Sequence, residues 1–473
     1  MHAFPQRDKR GDYVKDQLKN YIEEIMAHHD AAGLALAVID GSGNTLAQDF
    51  FGFRDAEKQL PIDEDTIFGI ASCTKSFTCL AIWQLAREGK LDVHDLVSDH
   101  IPEWKGTHQP NLRIWHLMCH SGGFFPLKRL LAEDIARELG LFEGGKAELA
   151  YCDELSEEGR KQVAAQMEEQ TMEKGLIGLP GEYFSYCNDG FALLSEIIRR
   201  ISGKPYAAYV KENIFQPLGM SRSCCDFIAP SLDENASTLY FKKDGVRVGD
   251  RNYYRIAHVL NGGGAIKSTL SDLKKYVAMY LNEGKGAKSE LLPEDWLRLM
   301  LRPMITYLPG VSYASGLMVR SFGDLGVIGH GGSLPGVSSH ILFSPESNVG
   351  VVVLCNTSGV PVGLIADAAL RLYSGLPMLA ERKIPEAWPW PEEFKAQAAG
   401  TYRSCEGDSF KVTLKEDGTL VTTVEEEEKE LIPIGTRIAL IPGRFTDAKV
   451  KFYTRQGKVF AVLRGSRILP KEE

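Results

Sequence analysis

Phe68-Gly-Ile-Ala-Ser72-Cys-Thr-Lys75-Ser-Phe-Thr-Cys-Leu-Ala-Ile-Trp83 joins a short apolar run to a helical pattern in which Phe77, Leu80, Ala81 and Trp83 supply a buried face. A serine at the start of a helix ordinarily serves as an N-cap. Lys75 argues for more, because it lies three residues on and therefore on the same helix face as Ser72. A lysine buried beside a hydroxyl loses its proton more readily, since burial penalises the charged form, and it then acts as a base. The helix N-terminus adds a backbone N–H and a partial positive charge for a developing oxyanion. The segment predicts Ser72 as nucleophile and Lys75 as base, provided the rest of the chain supplies a proton relay and a clamp for the acyl oxygen.

The chain has 473 residues, enough for two or three domains with a large core. Its 44% apolar and 25% charged residues are ordinary for a soluble globular protein. A net charge of -9 argues against nucleic acid or an anionic membrane as partner. No run approaches the roughly 18 apolar residues of a spanning helix. Met1 to Arg10 lacks the apolar core of a secretory signal, so a cytoplasmic location is expected, a trimmed signal being the alternative. Nine cysteines, with no C-x-x-C spacing, predict free thiols, and the adjacent Cys224 and Cys225 read as idle rather than redox-active. No His/Cys/carboxylate cluster has metal spacing, and Gly262-Gly-Gly264 is not followed by Gly-Lys-Ser/Thr; no metal, phosphate loop or other cofactor is expected.

Outward from Ser72, residues Tyr13 to His28 read as an amphipathic helix, Gly33 to Ile39 as a strand, and Thr45 to Phe51 as its hairpin partner. Leu112 to Gly123 reads as a helix closing on a glycine turn, and the charged segment 124–178 as helical, with Leu130, Leu131, Ile135 and Leu139 on one face. Glu157-Glu158 and Glu168-Glu169 read as solvated helix faces. A helix is expected from about Phe191 to Ile201, a flexible loop at Asn261 to Gly264, and a capped helix start at Leu270-Ser-Asp. Gly316 to Ser321, Gly326 to Gly329, His340 to Ser344 and Val349 to Cys355 read as antiparallel strands, followed by a helix over Val362 to Tyr373. The pattern predicts an α+β fold: one discontinuous antiparallel sheet built from both chain ends, flanked by helices, with an all-helical lobe inserted over about 95–310. This domain is expected to span 1–384. The Pro- and Trp-bearing stretch at 385–394 reads as a linker, and 395–473 as a small all-β, barrel-like domain. Within it, Phe410 to Leu414 and Leu420 to Val424 pair across Asp417-Gly418, strands recur at Ile438 to Ile441, Val450 to Tyr453 and Val459 to Leu463, and Glu425 to Glu430 reads as a turn.

Each candidate piece of chemistry occurs twice. S-x-x-K stands at Ser72/Lys75 and Ser271/Lys274, Y-x-N at Tyr186/Asn188 and Tyr280/Asn282, and H-x-G at His330/Gly332 and His120/Gly122. Context separates them. Ser271 reads as an ordinary N-cap, Tyr280 as core packing near a helix end, and His120 as a histidine complementing a helix C-terminus. Tyr186, by contrast, lies in a loop before a helix, and His330 lies on a glycine-rich strand, Gly329-His-Gly-Gly-Ser333, whose edge lets a substrate backbone approach.

Ser72-Cys-Thr-Lys75, Tyr186-Cys-Asn188 and His330-Gly-Gly-Ser333, in this order, resemble the class C β-lactamase-type serine hydrolases, a group that includes D-Ala-D-Ala carboxypeptidases, D-aminopeptidases and esterases. Leu117 to Gly123 and Gly329 to His340 resemble the connecting segments of that family; the likeness covers about Tyr13 to Leu376 and does not extend in a specific way into the C-terminal segment. The resemblance implies that Ser72 is acylated, Lys75 is the base, and Tyr186 relays the proton to the leaving group. It further implies that Asn188 orients the substrate amide, that the backbone N–H groups of Ser72 and Ser333 form the oxyanion hole beside Gly332, and that His330 contributes electrostatics and a hydrogen bond to Tyr186, titrating near neutrality. His330 stands where β-lactamases carry a lysine, and Gly331 where carboxypeptidases carry a hydroxyl, which favours the D-aminopeptidase and esterase branches.

The expectation is a metal-free serine hydrolase acting through an acyl-enzyme on an amide or ester of a small molecule or short peptide, with homo-oligomerisation left open. Two rivals are an acyltransferase on the same scaffold and a slowly turning-over, penicillin-binding sensor.

Overall fold

The computed structural model of the chain describes residues 9–104, 109–125, 162–165, 167–172, 175–225, 229–251, 253, 261–424 and 426–472, with only the backbone of 9–15 and 261. The expected helical faces at Leu130 to Leu139 and Glu157-Glu158 lie outside these residues. The chain divides into two compact units: 1–92, 198–303 and 310–380 form the first, and 93–197, 304–309 and 381–473 the second.

The first unit is built on an antiparallel sheet. Its strands, in chain order, are β1 (Gly33–Asp40), β2 (Thr45–Asp55), β3 (Leu60–Pro61), β4 (Val311–Tyr313), β5 (Met318–Phe322), β6 (Leu325–Leu334), β7 (Val337–Ser344) and β8 (Val349–Cys355). In space the order is β3-β2-β1-β8-β7-β6-β5-β4. The sheet is therefore discontinuous in sequence, the early β1 pairing with the late β8 in a register that sets Ala37 opposite Val352. Valine dominates β8, and every residue of β7 and β8 is buried, which requires cover on both faces. Two helices that pack against both strands, α4 (Leu270–Leu281) and α5 (Val362–Tyr373), meet that need. An earlier helix, α1 (Lys9–His28), lies on α5.

The helix that follows Ser72, α2 (Thr74–Arg87), is buried at every position from Thr74 to Leu85. Phe77 stacks on Tyr276 of α4 with ring centroids 3.6 Å apart and planes 10° from parallel. Thr78 Oγ1 donates to the Gly262 carbonyl at 2.7 Å, and Gln84 Nε2 to that of Asn213 at 3.1 Å. A helix wrapped on all sides holds its N-terminal residues rigidly.

In the second unit the C-terminal segment forms two small antiparallel sheets. The first holds β9 (Gly400–Arg403), β10 (Ser409–Leu414), β11 (Leu420–Val424) and β12 (Glu427–Glu430); the second β13 (Ile432–Pro433), β14 (Ile438–Ile441), β15 (Ala448–Arg455), β16 (Lys458–Arg464) and β17 (Arg467–Pro470). A bridge between Tyr402 and Lys471 brings the two ends together around a core that includes Tyr402, Phe410, Phe452 and Leu469. Trp390, from the Pro-bearing stretch, joins this core and donates its indole N–H to the Gly435 carbonyl at 2.7 Å.

Several local expectations change. The acidic run read as a turn is a strand at Glu427–Glu430, its exposed side chains facing water while its backbone pairs with β11. The cap of α4 is Thr269, whose hydroxyl accepts the Asp272 N–H, and not Ser271. The expected helix over 112–123 contracts to Ile114–Met118. Asn261–Gly264, expected as a loop, is a short helical turn.

Candidate active site

Ser72 sits in a 3-10 turn, Ala71–Cys73, immediately before α2. Ala71 has φ 45°, the left-handed region that a residue with a side chain rarely enters. That turn presents Ser72 at the mouth of the helix, and the capping position is Cys73, whose side chain caps nothing. Ser72 is therefore partly exposed and is not an N-cap. Lys75 is completely buried, and its Nζ donates to Ser72 Oγ at 3.2 Å and to the Gly263 carbonyl at 2.7 Å. Gly263 is a contributor the sequence did not single out. The glycine triplet brings two carbonyls against α2, one for Lys75 and one for Thr78.

Strand β6 runs beside the Ser72 turn and is stitched to it. Cys73 Sγ donates to the His330 carbonyl at 3.1 Å, and Ser339 Oγ on β7 donates to the Ile70 carbonyl at 2.7 Å. Gly332 is the point of closest approach: a Cβ there would lie 2.2 Å from the Ile70 oxygen and 2.3 Å from Ser339 Oγ. No other residue type fits without moving backbone. Ser333, next along, is exposed and paired in register with Ser338. At Gly331 a Cβ would stand 3.0 Å from His340 Nδ1, so the imidazole of the neighbouring strand occupies the space beside it.

The structure assigns His330 a different state from the one expected. Its Nδ1 lies within hydrogen-bond reach of the Gly331 carbonyl, which only accepts, so Nδ1 carries the proton and Nε2 accepts from the Tyr313 hydroxyl at 2.8 Å. Burial, and after it the Lys75 ammonium, pull the His330 pKa down to about 3, against the hydrogen bond to Gly331. The ring is thus neutral at pH 7, and titration near neutrality is not what this environment gives. Cys73 and Cys187, inside the motifs, are likewise pushed by burial above the ordinary thiol range, Cys73 to about 11, which suits packing rather than nucleophilic roles.

Tyr186 and Asn188 belong to the second unit. Tyr186 is 8% exposed and precedes α3 (Asn188–Ser202), of which Asn188 is the first residue. The segment is fixed by His120, which follows the helix end at Met118 with φ 57°. The His120 carbonyl accepts the Ser185 N–H at 2.9 Å, its Nδ1 accepts the Cys187 N–H at 3.1 Å, and its ring lies 4.0 Å from that of Tyr186. The motif that sequence context had assigned to a helix dipole thus braces the Tyr186 loop. The second S-x-x-K has no comparable setting. Ser271 Oγ donates to Asp65 at 2.6 Å, and Lys274 forms an ion pair with Glu64 at 3.2 Å.

The profile of the family described as Beta-lactamase matches residues 18–375. Protein flp of Staphylococcus aureus (strain NCTC 8325 / PS 47) is 24% identical over 343 residues, 72% of this chain but 63% of that protein, so the chain spans under two thirds of the length of that relative. Penicillin-binding protein 4* of Bacillus subtilis (strain 168) is 25% identical over 458 residues, covering 93% of this chain and 92% of the relative. Among solved structures, the octameric penicillin-binding protein homologue from Pyrococcus abyssi matches with a TM-score of 0.67 at 28% identity, over 96% of this chain and 99% of that one.

Proposed function

The chain belongs to the β-lactamase family, and on that premise we propose that it hydrolyses an amide or ester of a small peptide through an acyl-enzyme on Ser72. The observation that carries the reading is the buried Lys75 Nζ, 3.2 Å from Ser72 Oγ at the mouth of a rigidly packed helix. Lys75 first gives up its own proton to solvent and then, as the free amine, takes the Ser72 proton while Oγ bonds to the substrate carbonyl carbon. The carbonyl oxygen becomes an oxyanion held by the Ser72 and Ser333 N–H groups, a donor of this kind being worth ~3–4 kcal/mol in the transition state. The oxyanion collapses, the bond to the leaving group breaks, and the proton reaches the leaving amine or alcohol through Tyr186, with Asn188 orienting the substrate amide. Water, activated by the same bases, then releases the acid and restores Ser72. His330, neutral at pH 7, supplies hydrogen bonding and shape rather than charge.

Gly331 offers no side-chain hydroxyl for a substrate carboxylate, and a Cβ there would already crowd His340 Nδ1 at 3.0 Å, which favours D-aminopeptidase or esterase chemistry over a carboxypeptidase. Steady-state assay of D- and L-alanyl p-nitroanilides and p-nitrophenyl esters checks this: sustained release with the D-series, lost in Ser72→Ala, is expected. A burst of one equivalent without turnover would instead describe a slowly deacylating sensor. Self-association is also proposed, and a monomeric mass in light scattering would remove it.

A further inference from the structure

The C-terminal β-segment reaches the Tyr186 loop through one hairpin. Strands β16 and β17 turn at Gly465-Ser466, and there the Ser466 carbonyl accepts the Tyr186 N–H at 2.8 Å. Two residues on, in β17, the Ile468 N–H donates to Ser185 Oγ at 3.3 Å, so the hairpin holds the loop by one backbone group and one side chain. Between these contacts, the Arg467 guanidinium carbon lies 5.1 Å from the centre of the Tyr186 ring.

Arg467 does not wander. Its Nε and Nη2 donate to the two carboxylate oxygens of Glu406, the latter at 3.2 Å, and the two side chains are only 24% and 13% exposed. Such a bidentate pair fixes the plane of the guanidinium. Glu406 lies between β9 and β10, so the clamp belongs wholly to the C-terminal segment.

We propose that Arg467 is a positioning residue for Tyr186, a cation delivered by the C-terminal β-segment to orient the phenol ring and favour its phenolate form. The inference rests on Tyr186 being the proton relay of the proposed reaction. A guanidinium beside a phenol is attracted to the ring's π-face. When the phenol gives up its proton, that attraction becomes one between opposite full charges, in a setting shielded from water. The interaction is therefore stronger in the state that relays the proton than in the resting state, the condition under which a contact accelerates a step instead of merely tightening binding. Burial disfavours the charge on Arg467, but the Glu406 carboxylate, with Tyr186 and Asp408 adding to it, holds it above the ordinary guanidinium range. Among the described residues of this unit, the His120 ring also lies against that of Tyr186.

The test is the rate at which a penicillin, whose ring-opening frees an amine that must take up the relayed proton, labels Ser72, followed by intact mass on the full chain and resolved into a maximal rate and a half-saturating concentration. Wild type, Arg467→Met, Arg467→Lys, Tyr186→Phe and the double variant Arg467→Met/Tyr186→Phe are compared, with thermal melts confirming folding. The expected result is an about tenfold slower maximal rate for Arg467→Met at little-changed half-saturation, with partial recovery in Arg467→Lys. In the Tyr186→Phe background, Arg467→Met should add nothing, because it acts through Tyr186. If Arg467→Met labels like wild type, or if the two substitutions multiply, the inference falls while the role of Tyr186 stands. If Tyr186→Phe labels at the wild-type rate, the relay itself is wrong and the inference falls with it. Should Arg467→Met fail to fold, Glu406→Gln decides: loosening the clamp must slow labelling, and an unchanged rate overturns the proposal.

Discussion

Gly332 shows how much a single residue constrains the site. A Cβ would overlap the Ile70 oxygen and Ser339 Oγ, so Gly332→Ala must push strand β6 off the Ser72 turn. Overpacking of this kind costs ~1–3 kcal/mol. We expect a lower melting temperature and at least tenfold slower labelling of Ser72; unchanged labelling would mean the strand can retreat without disturbing the nucleophile. The buried imidazoles give a second prediction. Burial lowers the pKa of His330 and of His340 to about 3, and that of His116 to about 4. In the unfolded chain each returns to about 6.5. Between those values the unfolded state binds protons that the folded state refuses, so stability is full above pH 6.5 and falls as pH drops toward the folded values. Each such histidine costs about 1.4 kcal/mol per pH unit within the window. Melts from pH 7 to about 5.5, above the main carboxylate range, should decline, and His340→Gln should flatten the slope; an identical slope would contradict the assigned burial state. At this scale the spacing made Ser72 and Lys75 candidates, context set them apart from Ser271 and Lys274, and the structure puts their side chains 3.2 Å apart. The sequence did not show Gly263 or Ser339, and it gave His120 a different part, because their roles are played by carbonyls and contacts far away in the chain. His330 was placed on the right strand, but its titration depended on burial that no pattern displays.

Among the elements, α2 matters most. Its burial on every side predicts that Phe77→Ala, which removes a ring stacked on Tyr276, destabilises the protein by ~3–5 kcal/mol in denaturant unfolding. A loss below ~1 kcal/mol would mean that the helix is not the packed axis described here. The elements of the main sheet were legible because apolar runs in β1, β7 and β8 end in turn residues, and α5 falls on Val362–Tyr373 as expected. Others were not. The Glu427–Glu430 strand has the wrong composition for a sheet and exists because its backbone completes the edge of β11. Strands β9 and β17 are four residues each, too short for a period to register, yet β17 carries Arg467. The cap of α4 slid from Ser271 to Thr269 because Ser271 found Asp65 instead.

At the scale of the whole molecule, the large antiparallel sheet with helices and the extra C-terminal sheets were readable from the order of patterns along the chain. The contacts of the C-terminal segment were not, since its composition announces only a separate β-structure. We expect a chain ended before residue 395 to lose the Ser466 carbonyl and Arg467 from the Tyr186 loop, and with them most of its acylation rate. The size distribution of the truncated chain in solution should also change. If both activity and mass in solution survive truncation intact, the C-terminal segment has no part in the site or its assembly. The central claim remains the nucleophile. Intact-mass analysis after incubation with a fluorophosphonate and, separately, a penicillin tests it most directly, with peptide mapping of the adduct. The account predicts one adduct, located on Ser72 and absent from Ser72→Ala; an adduct that persists in Ser72→Ala, or none on the folded wild-type protein, would contradict it.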